Sequence, residues 1–216
     1  MSQITLVRHG QANTAARDEV SYDQLSELGA RQAGWLGAHL GDAGEVFAHS
    51  YRGGLHRHRQ TADAMGIEGA ETDARFDEME FFTIAHLFEA QHGVAIPDTR
   101  EDFVQFMPRM LAAWQADEIA DTPESFADFE TRVGAGLRDL MQNDGRSIVI
   151  TSGGVIGMAM RITLGLSLEA MARVCLAIEN TSLSRWLPLE GHLALTQFNA
   201  LPHLEGPDRQ FARTHL

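Results

Sequence analysis

At 216 residues, with 44% apolar side chains, the chain has the length and composition of one globular domain with a sizeable core. Its 17 basic and 30 acidic side chains leave a formal charge of -13, which argues against a nucleic-acid partner, because phosphate backbones need a basic face. Cys175 is the only cysteine and cannot form an intramolecular disulfide. No basic leader precedes the first apolar run, and no run approaches the roughly 18 apolar residues of a membrane span, so a soluble, cytoplasmic protein is expected.

Ile4 to Val7 reads as a buried strand that stops abruptly at Arg8-His9-Gly10, where glycine permits a sharp turn. An arginine and a histidine thus stand at the carboxyl end of a strand, the edge at which open α/β sheets bind ligands. Residues 11 to 25 lack periodicity and read as a loop. Ser26 is an N-cap for a helix with Leu28, Ala33, Leu36 and Leu40 on one face, and Gly41 is its stop. Val46-Phe47-Ala48 reads as a second strand, and Gly53-Gly54 as a turn into a helix that starts at Leu55 and ends near Gly66. Arg52, Arg57 and Arg59, with His56 and His58, gather at that helix start. Free N–H groups and the positive dipole end there suit an anion; the plainer alternative is a solvated basic face. Residues 68–74 form a strand-containing link. In the segment that follows, Asp77, Glu78 and Glu80 alternate with apolar residues. A carboxyl in apolar surroundings has a raised pKa and can donate a proton near neutral pH; the alternative is exposed carboxylates beside a core segment.

Residues 83 to 122 read as helical. One helix carries Ile84, Leu87 and Phe88 and ends at Gly93. Another is capped by Thr99 and carries Phe103, Phe106, Met110 and Trp114, with Pro108 expected to kink or split it. Thr122-Pro123 is the expected start of the helix bearing Phe126, Phe129, Val133, Leu137 and Leu140. Residues 81–121 are therefore expected to form a helical cap insertion over the sheet edge, within a single domain spanning 1–216. Ser147 to Thr151 is a strong strand that ends at Ser152-Gly153-Gly154, followed by a helix through Val155, Met158 and Ile162. A further helix covers 168–174. Strands at 183–187 and 193–198, joined by Glu190-Gly191, form a hairpin. Strands alternating with helices predict an α/β fold: a three-layer sandwich with a mostly parallel central sheet and helices on both faces.

Six of these segments together resemble the histidine phosphatase superfamily, which includes the cofactor-dependent phosphoglycerate mutases. They are Leu6-Val7-Arg8-His9-Gly10-Gln11, the helix start Leu25 to Ala33, Leu55 to Ala62, Phe76-Asp77-Glu78, Glu124-Ser125-Phe126 with Arg132-Val133, and Asn180-Thr181-Ser182. Their order and spacing cover most of the chain. The resemblance implies that His9 attacks phosphorus and forms a phosphohistidine, that Arg8 and Arg57 grip the phosphoryl oxygens, and that Glu78 protonates the leaving oxygen. Asp77 and Glu80 are the fallback acids. Ser152 and Gly153 are expected at the phosphate. The partner is a small phosphorylated substrate or inorganic phosphate, with no cofactor and no metal, since the arginines supply the charge.

Two departures from the family pattern matter. The family normally has a second histidine in a His-Gly-Gly-like turn where this chain has Ser152-Gly153-Gly154. Serine keeps a donor but not the charge. A charged imidazole bonded to phosphate is worth roughly 1.5–3 kcal/mol, so its absence implies chemistry slower on the order of tenfold to a hundredfold. His56 and His58 are the candidates to restore the charge, and the expectation is that they do not. The mutases also usually carry an asparagine shortly after Arg-His-Gly. Here that position is Ala15, with Asn13 nearest, and the C-terminal extension is short. The reading is thus a phosphomonoester hydrolase, with a non-catalytic phosphate-binding or regulatory protein and a phosphoglycerate mutase as alternatives.

Overall fold

The structure, a computed structural model, describes residues 2–215. Six strands form one sheet in the order β3-β2-β4-β1-β5-β6: β1 (Gln3–Arg8), β2 (His49–Arg52), β3 (Glu71–Thr72), β4 (Arg146–Thr151), β5 (Leu183–Leu189) and β6 (His192–Ala200). The pairs β1–β4, β2–β4 and β2–β3 are parallel, and β5 and β6 add antiparallel strands beyond β1. The helices are α1 (Glu19–Tyr22), α2 (Glu27–Asp42), α3 (His56–Met65), α4 (Phe81–His92), α5 (Arg100–Gln115), α6 (Phe126–Leu140), α7 (Gly153–Leu164) and α8 (Leu168–Ala177).

Strands β1 and β4 are buried along nearly their whole length because both faces of the sheet are covered. Alternate residues divide between the two layers. Val7, Ile148 and Ile150 join Ala33, Leu36 and Leu40 of α2 and Ala62 and Met65 of α3 in one cluster. Ile4, Leu6 and Val149 join the larger cluster built from α4 to α8. This is the expected three-layer α/β sandwich with a mostly parallel sheet. The β5–β6 hairpin also lies where the sequence places it. None of the described helices is long and apolar enough to cross a membrane.

Four local expectations are corrected. The second strand is His49–Arg52, not Val46–Ala48, and Val46 is 76% exposed. Pairing with β4, from His49↔Ser147 to Arg52↔Ile150, selects the more polar segment over the apolar one. Residues 11–25 contain the short helix α1. Helix α6 begins at Phe126 rather than at Thr122-Pro123, because the Ser125 hydroxyl accepts from the Asp128 N–H at 3.0 Å and sets the start. Helix α5 runs unsplit through Pro108. The carbonyl that loses its bond belongs to Val104, on the exposed face of α5, where water can serve it.

Candidate active site

The carboxyl edge of β1 and β4 opens into a cavity of about 510 Å³ lined by Arg8, His9, Arg57, Glu78, Gly153 and Gly154, with further walls from the α1 segment, α4 and α5. His9 is pinned at the strand end. Its N–H donates to Thr151 O at 2.8 Å, and its carbonyl accepts from Asn180 Nδ2 at 3.1 Å. The turn at Gly10 lies so close to the first turn of α2 that a Cβ there would stand 2.3 Å from Gly29 O. Glycine is required at that contact.

The His9 ring is buried, and its Nδ1 lies 2.7 Å from Gly10 O. A carbonyl only accepts, so Nδ1 carries the proton and Nε2 keeps its lone pair. Burial, then the Arg57 and Arg8 charges and His58, hold its pKa well below the usual histidine value. The ring is therefore neutral at physiological pH, the form a nucleophile needs.

Arg57 follows the start of α3. Its guanidinium reaches Asp23 Oδ1 at 3.1 Å and Ser152 Oγ at 3.4 Å, and lies 5.0 Å from the Tyr22 ring centroid. Arg8 donates to Ile178 O. The Nε groups of both arginines are buried with no acceptor among the described residues. Two buried guanidiniums with spare donors, only one of them paired to a carboxylate, mark a site for an anion.

Of the three candidate acids, only Glu78 lines the cavity. Its carboxyl accepts from the Gly154 N–H at 2.8 Å and the Met79 N–H at 3.2 Å. Burial raises its pKa, against the lowering effect of those bonds and of Arg57 and Arg8. A Cβ at position 154 would sit 2.2 Å from Glu78 Oε1, so glycine is what admits the carboxyl. Asp77 instead accepts from the Gly54 N–H, and the exposed Glu80 accepts from the Thr83 hydroxyl. Arg132 clamps the segment bearing Glu78, donating to Asp77 O at 2.6 Å while bound to Glu124. No group of three or more metal-capable side chains occurs among the described residues.

The family description of the histidine phosphatase superfamily (branch 1) matches residues 4–201. The chain belongs to that superfamily. No significantly similar sequence was found among curated proteins. Among solved structures, a phosphoserine phosphatase mutant from Entamoeba histolytica in complex with phosphoserine is similar with a TM-score of 0.70 at 20% identity, covering 94% of this chain and 100% of that one. A phosphoglycerate mutase from Bacillus anthracis gives 0.67 at 18%, covering 94% of each. The mycobacterial glucosyl-3-phosphoglycerate phosphatase complexed with VO3 gives 0.64 at 21%, covering 92% and 98%. At these identities the likeness is one of fold.

Within this superfamily member the other sequence candidates divide. Gly153 lines the cavity, whereas Ser152 stands beside Arg57, 1% exposed and outside the lining. His56 is exposed and bonds Arg59, and neither faces the cavity. Asn13 is at the wall, but its amide is spent on Ser21 O and the Ala15 N–H. The sequence reading missed α1 altogether. Glu19 accepts from the Phe82 N–H at 2.7 Å at the start of α4. Asp23 accepts from the His56 and Arg57 N–H groups at 2.8 and 3.0 Å at the start of α3. Between them Tyr22 stands edge-on to His9, 6.2 Å between ring centroids. The only local signal was an Asp18 cap for a four-residue helix.

Proposed function

We propose that the protein is a phosphomonoester hydrolase working through His9. The observation that carries this reading is the convergence of a neutral imidazole, two buried guanidiniums and a carboxyl with a raised pKa on one cavity. His9 Nε2 attacks phosphorus while the P–O ester bond breaks, and Glu78 gives its proton to the departing alkoxide. The Glu78 carboxylate then takes a proton from water, whose oxygen displaces His9 and releases inorganic phosphate. Arg8 and Arg57 hold the non-bridging oxygens throughout. Helices α4 and α5 serve as the cap that shapes the rest of the cavity.

The walls beyond the arginines support a substrate with an apolar body. Tyr22, Phe81, Phe82, Phe103, Met107 and Leu111 line them. Past the two guanidiniums and Glu78, the charged lining residues among those described are Arg17, Glu19 and Asp98, an acidic surplus that disfavours a substrate carboxylate.

The test is a phosphoester panel with wild type beside His9→Ala, together with an alkaline denaturing quench on labelled substrate. Turnover abolished in His9→Ala and a base-stable, acid-labile phosphoenzyme are expected. Aryl phosphates should outrun phosphoserine in kcat/KM. Turnover with no trapped phosphoenzyme, or turnover untouched by His9→Ala, would refute the mechanism. Phosphate or vanadate binding without hydrolysis would favour the non-catalytic reading, which Ser152 motivates.

A further inference from the structure

His58 is a polar ring with 0% exposure that the proposed chemistry does not use. It follows Arg57 directly on α3, and its ring centroid lies 5.8 Å from that of His9. Its Nε2 is 2.7 Å from Ser152 Oγ, and the same oxygen lies 3.4 Å from Arg57 Nη2. Its Nδ1 has no partner among the described residues. Buried polar groups left half-satisfied are costly, and a small apolar residue would avoid that cost.

The hydrogen-bond inventory orders these three groups. Arg57 can only donate, so Ser152 Oγ accepts from it. If His58 carries its proton on Nε2, it too donates to Ser152 Oγ, and Nδ1 is left as a bare acceptor rather than an unpaired N–H. Ser152 then fixes Arg57 Nη2 while Asp23 fixes Nη1. The guanidinium is thus held at both terminal nitrogens beside the cavity that it lines.

Space makes the same argument. Ser152 is 1% exposed, and its side chain ends against the His58 ring. With Ser152 Oγ already 2.7 Å from His58 Nε2, a larger side chain at 152 that followed the same direction would meet the His58 ring.

We infer that His58 is a positioning residue of the phosphate site, orienting Arg57 through the Ser152 hydroxyl and standing where a larger side chain at 152 that followed the same direction would meet it. The inference rests on the reading of the cavity as a phosphate site.

The experiment is calorimetric binding of inorganic phosphate, with KM and kcat for an ester alongside. Ser152→Ala and His58→Ala should each weaken phosphate binding about fivefold to tenfold, the scale of one lost hydrogen bond. KM should rise in step. The double variant should be no worse than either single, and neither change should matter in an Arg57→Ala background. His58→Gln, which keeps an N–H within reach, should bind better than His58→Ala. Ser152→His alone should lose binding or fold poorly, and adding His58→Ala should recover it. Additive effects, effects that persist without Arg57, or a Ser152→His variant that binds like wild type and gains nothing from His58→Ala would each overturn the inference. If His58→Ala does not fold, Ser152→Ala and His58→Gln carry the same comparison. Wild type that binds no phosphate overturns the site reading and this inference together; wild-type binding that these variants leave unchanged overturns this inference alone.

Discussion

At the scale of single residues, His9 and Glu78 have environments that push their proton affinities in opposite senses. Burial and two guanidiniums lower the pKa of His9, while burial raises that of Glu78. Such a pair separates nucleophile from acid. As pH falls through the lowered His9 value, the nucleophile is lost. As pH rises through the raised Glu78 value, the proton donor is lost. A bell-shaped kcat/KM profile is expected, its acid limb lying below the ordinary histidine range. In Glu78→Gln the limb set by the carboxyl should vanish, and kcat/KM for alkyl phosphates should fall on the order of a hundredfold to a thousandfold. Nitrophenyl phosphate, whose leaving group needs no proton, should lose far less. Equal losses for both esters would remove Glu78 from the acid role.

At the scale of elements, the α1 segment is a strap tied at both ends by carboxylates on helix starts: Glu19 on α4 and Asp23 on α3. Carboxylates are favourable there because they satisfy free N–H groups and meet the positive dipole end. Asp23→Ala should cost about 0.5–2 kcal/mol for the lost cap and also leave Arg57 without its carboxylate, so melting temperature and phosphate binding should fall together. Glu19→Ala should release only the α4 end, raising amide exchange in residues 18–23 and KM with less effect on phosphate affinity. Unchanged exchange in Glu19→Ala would mean that the strap is held by other contacts. The sequence could not announce this element. Its partners are backbone groups far along the chain, and four residues carry no periodicity. Strand β1 was legible because an apolar run ends at a turn glycine. Strand β2 was not, because His49-Ser50-Tyr51-Arg52 becomes a strand only through pairing with β4. Thr122-Pro123 was read as a helix start from the proline alone, but the Ser125 hydroxyl, accepting from the Asp128 N–H, sets it.

At the scale of the whole molecule, the family resemblance singled out Glu78 and Arg57 from their like neighbours, whereas the residues alone showed only which segments carry reactive groups. The cavity lining includes Glu78 but neither Asp77 nor Glu80, and Arg57 but neither Arg52 nor Arg59, while the buried Ser152 lies outside it. Burial also sets a pH liability. His9, His58 and His203 are all buried and held neutral, His203 with its pKa pulled down to about 3 by burial and the nearby charges of His39 and Arg209. Each binds a proton more readily in the unfolded chain. Below the ordinary histidine pKa, near 6.5, each therefore removes up to about 1.4 kcal/mol of stability per pH unit. Glu78 acts in the opposite sense, because its folded form holds the proton more tightly. Thermal unfolding should move to lower temperature between pH 7.5 and 5.5, and His203→Gln should flatten that slope; an unaltered slope would exclude His203 as a contributor. A last consequence follows from the place of β1 in the sheet. Its partners are β4, with Gln3 opposite Arg146, and β5, and the Arg8 carbonyl waits for the Thr181 N–H. At roughly 5–20 residues per second, a ribosome delivers those partners only on the order of ten seconds after the first strand has emerged. Throughout that interval the nascent chain carries His9, the proposed nucleophile, on an unpaired apolar strand, and the proposed site is complete only when the last third of the polypeptide closes over the first.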